Sequence, residues 1–262
     1  DGTIFGSDVA IKRSIRDAMD EMNEKIFYRK TMIIDKKKDV AKAATIEERF
    51  ELLYGPEPKD RRETLKKLME ATDVRTFGVL YTGKNNIGFR GTVQFTQGLN
   101  VDSETEIVVQ DITAPFSTAE NESSTIGKKV FTDEAHYLYN FSLNPTENKE
   151  FIRNGWLNED EVFSEKDYEV FKETTKFCAT RINTAAKVAC YNEFSLFVEL
   201  KQESEKYLTD LASLITVSRN NHRVTYDITE LLKSLVASAA ALQIDKLEIY
   251  VDTNKVDLIV EE

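Results

Sequence analysis

Histidine is nearly absent from this 262-residue chain: His136 and His222 stand in separate segments, with no serine or cysteine nucleophile signature beside either. Histidine-driven hydrolysis therefore finds little support. Cysteine is as scarce, since Cys178 and Cys190 form no CxxC pair, have no histidine at metal-ligand spacing, and are too few to staple a domain of this size. Both read as reduced, mostly buried thiols of a cytoplasmic protein. No apolar run approaches the ~20 residues a membrane span needs, so no membrane partner is expected. Walker, dinucleotide and EF-hand spacings are missing too, so the expectation is no cofactor, no metal and no catalytic residue. The chain opens at Asp1 without a basic n-region or an apolar h-region, the marks of a secretion signal. Positive charge is also short: 35 Lys and Arg stand against 46 Asp and Glu, a net charge of −11. Binding of nucleic acid through bulk charge is thereby excluded, and such a site has to be a local patch.

What is present suits one globular unit. With 41% hydrophobic and 31% charged residues, the composition is that of an ordinary α+β protein, and the length allows one large domain with insertions. The stretch that organises the chain runs from Asp73 to Val101, DVRTFGVLYTGKNNIGFRGTVQFTQGLNV. Its apolar runs, Thr76 to Tyr81 and Gly91 to Phe95, read as two strands. Between them lies a turn with Gly83 and Gly88, bounded by Gly91, that also carries Lys84 and Arg90. Glycines let backbone N–H groups approach an anion and the cations add charge, so phosphate is the natural ligand; a plain glycine-rich hairpin is the alternative.

Around that stretch the pattern is mixed. Ser7 and Asp8 open a helix whose apolar stripe is Ile11, Ile15, Ala18, Met19 and Met22, while Lys12, Arg13 and Arg16 lie off that stripe. Those cations either form a binding face or pair with Asp17 and Asp20. Ile26 to Ile34 reads as a short strand, followed by the charged run Lys36 to Lys38; Thr45 with Glu48 and Asp60 with Glu63 read as capping boxes for two short helices. Residues 100–129 turn polar and acidic, with a strand over Ile107 to Ile112, a loose tip over Thr118 to Ser124, and Lys128 and Lys129 on the return. This is an arm projecting from the body. Tyr137 to Leu143 alternates as an aromatic strand, Ser164 caps a helix through Ile182, and Phe194 to Leu200 alternates again. Two helices, over Leu208 to Ile215 and Asp227 to Leu242, precede a hairpin of Leu247 to Val251 with Val256 to Val260.

With the insertions set aside, the order helix, strand, strand, helix, strand matches the ferredoxin-like β-α-β-β-α-β unit without its first strand. A strand is accordingly expected before Asp1. The same core underlies the RNA-recognition motif, although Gly88 to Phe95 matches that motif's aromatic octamer only at Gly91, Val93 and Phe95.

Five segments carry a family resemblance: SDVAIKRSIRD from Ser7, DVRTFG from Asp73 with GTVQF from Gly91, ITAPF from Ile112 with IGKK ending at Lys129, YLYNFSLNP from Tyr137, and Asn183 to Lys187. In these the chain resembles the CRISPR-associated backbone subunit of type I-B Cascade, the DevR-related branch of the seventh Cas protein family. The resemblance implies an RNA-recognition-motif-like antiparallel palm, helical fingers over about residues 24–72, and a thumb over about 100–129. It implies a noncatalytic subunit that polymerises along CRISPR RNA, supports pairing with target DNA, and meets copies of itself and other Cascade subunits. Ser7, Lys12 and Arg16 fall where the family's first helix grips the RNA backbone, with Arg13 adjacent. Arg75 matches the cation of the DVRxFG motif, Gln94 lies in the Gly-x-Val-Gln segment, and Phe116 is the candidate wedge of the thumb. Lys84, Arg90, Lys128, Lys129, Asn183 and Lys187 complete the RNA-binding set. The chain departs from the family at Ala114 and at Ala185 and Ala186, where arginine, and arginine and serine, are usual.

Two other readings remain: a type III-like backbone subunit with metal-dependent RNA cleavage at a thumb aspartate such as Asp111, and an interaction module without RNA.

Overall fold

The structure, a computed structural model, describes residues 2–35, 39–113, 126–182, 184, 187–202, 204–208, 210–220 and 223–260. Elements in chain order are β1 (Phe5–Gly6), α1 (Asp8–Glu21), β2 (Met32–Asp35), β3 (Val40–Ala43), α2 (Ile46–Tyr54), α3 (Arg61–Met69), α4 (Thr72–Phe77), β4 (Gly78–Thr82) and β5 (Asn86–Arg90). They continue with β6 (Val93–Phe95), β7 (Gly98–Asn100), β8 (Ile107–Thr113), β9 (Ile126–Thr132), β10 (Tyr137–Leu138), β11 (Phe141–Leu143), α5 (Lys149–Arg153) and α6 (Glu165–Thr175). Last come β12 (Phe194–Leu200), β13 (Thr216–Asn220), β14 (Arg223–Asp227), α7 (Thr229–Leu242), β15 (Ile244–Val251) and β16 (Asp257–Ile259). The result is a mixed helix-and-strand protein of small, mostly antiparallel sheets.

Two clusters hold the main body. In the first, Phe50 of α2, Leu65, Leu68 and Met69 of α3, Val74 of α4 and Tyr81 of β4 close around Phe27, all but excluded from solvent. In the second, Ile15, Ala18 and Met19 of α1 and Phe171 of α6 pack on Val93 of β6, with Phe95, Phe141 and Phe197 alongside. Register there is Phe95 opposite Phe141 and Val93 opposite Leu143; farther along, Leu99 faces Leu138. The register slips by one residue between these two pairings, as a β-bulge requires. The β8–β9 arm leaves from the far end of this antiparallel pair. Its seven-residue strands pair from Ile107 opposite Thr132 to Thr113 opposite Ile126.

Caps form where side-chain oxygens meet free amides. Ser7 accepts from the Ala10 N–H, and Thr45 with Glu48 and Ser164 with Asp167 make reciprocal capping boxes. Asp60 caps α3 by accepting from the Arg62 N–H. Ser164 also starts α6 as expected, but that helix stops at Thr175; Cys178 lies in a 3-10 turn, Cys178–Arg181.

Several expected strands differ. Thr76 to Tyr81 is not one strand: the chain is helical through Phe77, and Gly78, at φ 85°, turns it into β4. Residues 71–77 are buried on nearly every side, polar Thr72, Asp73 and Thr76 included, so apolar spacing there carries no period to separate helix from strand. The glycine-rich turn itself contains β5, which pairs with β4, and Gly91 precedes β6. Ile26 and Phe27 are buried loop residues, and the strand begins only at Met32. Tyr137 to Leu143 breaks at Tyr139–Asn140, where the Thr96 N–H bonds the Asn140 carbonyl across the bulge. Leu208 to Ile215 forms only the 3-10 turn Leu211–Leu214.

The final hairpin is absent in that form. Residues Leu247 to Val251 lie in β15, antiparallel to β12, whereas β16 pairs in parallel with β14. Alternation marks a half-buried strand but does not name its partner. Together β13, β14, β16, α7 and the β12–β15 pair enclose Tyr226, Ile228, Leu231, Leu235 and Val256.

Candidate nucleic-acid interface

The expected cations divide into those already held by the fold and those left at the surface. On α1, Lys12 Nζ pairs with Asp8 Oδ2 at 3.0 Å, and Arg13, largely exposed, lies 3.8 Å from Asp17. Ser7 is the helix cap and also offers its carbonyl to the Tyr139 hydroxyl at 3.4 Å. Arg16 points inward. Its Nε donates to Asp73 Oδ2 at 3.0 Å, and its guanidinium lies 5.0 Å from the Phe77 ring centroid and 5.2 Å from that of Tyr28. Asp73, fully buried, also accepts the Phe27 and Tyr28 amides at 2.7 and 3.0 Å. One carboxylate thus joins α1, α4 and the Phe27 loop.

Arg75 is held still more completely. Its guanidinium grips both Asp167 oxygens, donates to the Met69 carbonyl at 2.6 Å, and reaches the Thr72 hydroxyl at 3.3 Å. Gln94 donates to the Gly91 carbonyl at 2.9 Å. Around α4, then, the structure gathers Arg16, Arg75 and the Gly91 to Gln94 segment. Gly78 and Gly91 meet there backbone to backbone: a Cβ on Gly91 would sit 2.2 Å from the Gly78 nitrogen, and one on Gly78 would sit 2.3 Å from the Phe89 carbonyl oxygen. The two motif glycines are a packing requirement.

The turn between β4 and β5 does bind an anion, but that anion is a side chain. Glu57 accepts the Lys84 and Asn85 amides at 3.0 and 2.7 Å and the Tyr81 hydroxyl at 2.8 Å. Burial opposes its charge, yet these hydrogen bonds win and hold the carboxyl below its ordinary pKa. The expectation of phosphate on these amides is corrected: the internal carboxylate fills the place. Sequence could not connect Glu57 to a turn 27 residues on. The Lys84 side chain remains exposed, and Arg90, also exposed, lies 3.1 Å from Glu147.

The arm and the last loop carry the remaining cations. Lys128 faces Asp111 across the β8–β9 ribbon, while Lys129, opposite Gln110, sits 4.9 Å from the Phe131 ring. Ile107, Val109 and Val130 are each more than half exposed on the ribbon face that also carries Asp111 and Lys128. Lys187 is exposed in a loop that follows a 3-10 turn packed on α1. Phe116, Asn183, the Lys36 to Lys38 run, His222 and the positions of Ala114, Ala185 and Ala186 lie outside the described residues.

Two features escaped the sequence reading. Phe5 on β1 stands opposite Leu99 on β7, both half exposed, giving the sheet an apolar patch. A two-residue strand has no period by which to announce itself. His136, which has no signature around it in the sequence, is buried between Glu193, 2.7 Å from Nδ1, and Glu134, 3.2 Å from Nε2. Arg219 pairs with Asp102 and Glu134 in the same cluster, and Tyr226 donates to Glu193. The cluster ties the base of the arm to the C-terminal sheet.

Among the described residues no helix is long and apolar enough to cross a membrane, and no group of three or more His, Cys, Asp or Glu could hold a metal ion.

No curated protein matches the chain. Among solved structures, a chain of a "CRISPR RNA-guided surveillance complex, pre-nicking" is similar at 12% identity and TM-score 0.50, over 99% of this chain and 88% of that one. A chain of a "CRISPR RNA-guided surveillance complex" follows at 11% identity and TM-score 0.45, over 97% and 87%. The first of these likenesses is one of fold. The family described as "CRISPR-associated protein Cas7" matches residues 1–234, nearly the whole length. On that match, the chain belongs to the Cas7 family of CRISPR-associated proteins.

Proposed function

We propose that this chain is the noncatalytic backbone subunit of a type I-B Cascade surveillance complex, polymerising along CRISPR RNA and supporting pairing with target DNA in antiviral defence. The observation that carries the reading is the family match over residues 1–234. Its partners are CRISPR RNA, target DNA, further copies of itself in a helical filament and other Cascade subunits, in the cytoplasm. The palm is an RNA-recognition-motif-like core made by α1, the β6–β11 and β7–β10 pairings, α6 and β12. Residues 24–72 act as fingers and the β8–β9 ribbon as thumb, within one domain.

The side chains divide the work. Arg13, Lys84, Arg90, Lys128 and Lys187, at the surface, meet phosphates, Lys129 and Asn183 share that role, and Phe116 is the thumb wedge. Ser7, Lys12, Arg16, Arg75 and Gln94 shape and polarise the groove, since their polar groups already serve internal partners. With a net charge of −11, the acidic surface repels nonspecific contact with nucleic acid, so binding depends on these local cations.

The test is purification with and without a CRISPR RNA, following solution mass and the ratio of nucleic acid to protein absorbance. A large RNA-dependent oligomer is expected, and a nucleic-acid-free monomer in both cases overturns the reading. Incubating the RNA-loaded assembly with a divalent metal and a complementary RNA tests the noncatalytic part. Cleavage that Asp111→Ala abolishes overturns it.

A further inference from the structure

A cleft of about 280 Å³ opens where α5 meets the segment after β11. Pro145, Ile152, Val162 and Phe163 line it with apolar surface. Asn148, 4% exposed, also lines it, and its Nδ2 has no hydrogen-bond partner. Buried donors without acceptors are rare enough in folded proteins to call for an explanation. The torsion that aims an asparagine amide is soft, so the Nδ2 group can turn toward an acceptor placed in the cleft. Lys149 and Arg153 stand at the rim, four residues apart on α5 and therefore on one side of it, and both are exposed. Among the described residues neither has an ion-pair partner, whereas nearby Arg90 has Glu147.

Each part of the cleft selects something. Apolar walls with an unpartnered neutral donor suit a flat ring bearing a carbonyl or ring-nitrogen acceptor. Two cations one helical turn apart suit a phosphate. Glu159, also at the rim, repels an anion that brings nothing else. A bare phosphate meets that carboxylate and leaves the apolar walls and the Asn148 donor unused, while a purely apolar ligand leaves the cations idle. We infer that this cleft seats a nucleotide, its base against Ile152 and Phe163 with an acceptor on Asn148 Nδ2, and its phosphate on Lys149 and Arg153. The inference rests on the proposed RNA-binding role only for where a nucleotide would come from. A free mononucleotide and one residue of a strand share the chemistry.

The experiment measures binding of uridine 5′-monophosphate, ribose 5-phosphate, a uridine-only RNA oligonucleotide and its abasic counterpart to the full chain. Variants are Asn148→Leu, Ile152→Trp, which fills the cleft from its wall, and the pair Lys149→Ala with Arg153→Ala. Uridine monophosphate is expected to bind the wild type and to lose about tenfold in affinity in each of the three variants. If only the oligonucleotide shows this loss, and the abasic strand responds to the Lys149→Ala with Arg153→Ala pair alone, the seat takes a nucleotide from a strand. Equal affinity of uridine monophosphate and ribose 5-phosphate, or no response of any nucleotide to the three variants, overturns the seat. An RNA-dependent oligomer that ignores all three leaves the backbone reading standing alone. Mononucleotide binding that responds to them in a chain unable to assemble on RNA leaves the seat standing alone.

Discussion

Arg75 holds Asp167 on two prongs, Nε to Oδ2 at 2.9 Å and Nη2 to Oδ1 at 2.7 Å. Asp167 is 1% exposed and is also the third residue of the Ser164 capping box, so the pair joins α4 to the start of α6. Breaking a buried pair from one side strands the other charge. Arg75→Ala should cost about 3 kcal/mol or more of stability. Arg75→Lys should recover only part, because an ammonium cannot reproduce the planar fork. Urea unfolding midpoints check both, and a midpoint within error of wild type for Arg75→Ala refutes the assignment.

Gly91→Ala should be among the most damaging single-methyl additions in the chain, since its Cβ meets Gly78 backbone at 2.2 Å. Gly127→Ala, on β9, meets nothing within 4 Å and should change stability by no more than about 0.5 kcal/mol. Thermal unfolding of the two variants side by side gives the comparison.

Burial of His136 works against its charge, but hydrogen bonds and Coulomb attraction from Glu193 and Glu134 outweigh it and raise its pKa above the ordinary 6.5. A raised cationic group stabilises the fold fully below its unfolded value and loses that contribution as pH climbs through the folded one. Stability should therefore fall as pH rises above about 6.5. In His136→Gln that part of the decline should vanish. Equal pH slopes for both proteins would remove the cluster from the argument.

Glu57 is a carboxylate held below its ordinary pKa, so its contribution runs the other way: present above about pH 4.5 and lost as pH falls. Glu57→Ala leaves the Lys84 and Asn85 amides without their acceptor and should cost roughly 1–3 kcal/mol. It should also free the turn for an outside anion. Added sulfate should stabilise Glu57→Ala more than wild type, measured as a shift in unfolding temperature.

The helices that begin with a polar oxygen could be read directly from the chain, because capping is local: Ser7, Thr45 and Ser164 act three residues ahead of themselves. The β8–β9 arm was legible from its change of composition, and the family from segments spread along the chain. Partners of ions were not legible. Arg16, Arg75, Glu57 and His136 were all visible as charged or titratable residues, yet each has a partner 57, 92, 27 and 57 positions away, respectively. Only the packed chain brings such groups together. The same reason hid the partners of β15 and β16, whose alternation was plain. Lys149 and Arg153 belong to a five-residue helix, with Asn148 just before it, too short to show a period.

The β8–β9 ribbon has its own small sheet, and three of its apolar side chains stand more than half exposed. A lone two-stranded ribbon is marginal in water. In the free chain its amides should exchange with solvent hydrogen through local opening, orders of magnitude faster than those of Phe27 and Tyr28, which Asp73 pins inside the body. The arm then has order left to gain. Whatever covers Val109 and Val130 will register first as a slowing of that exchange.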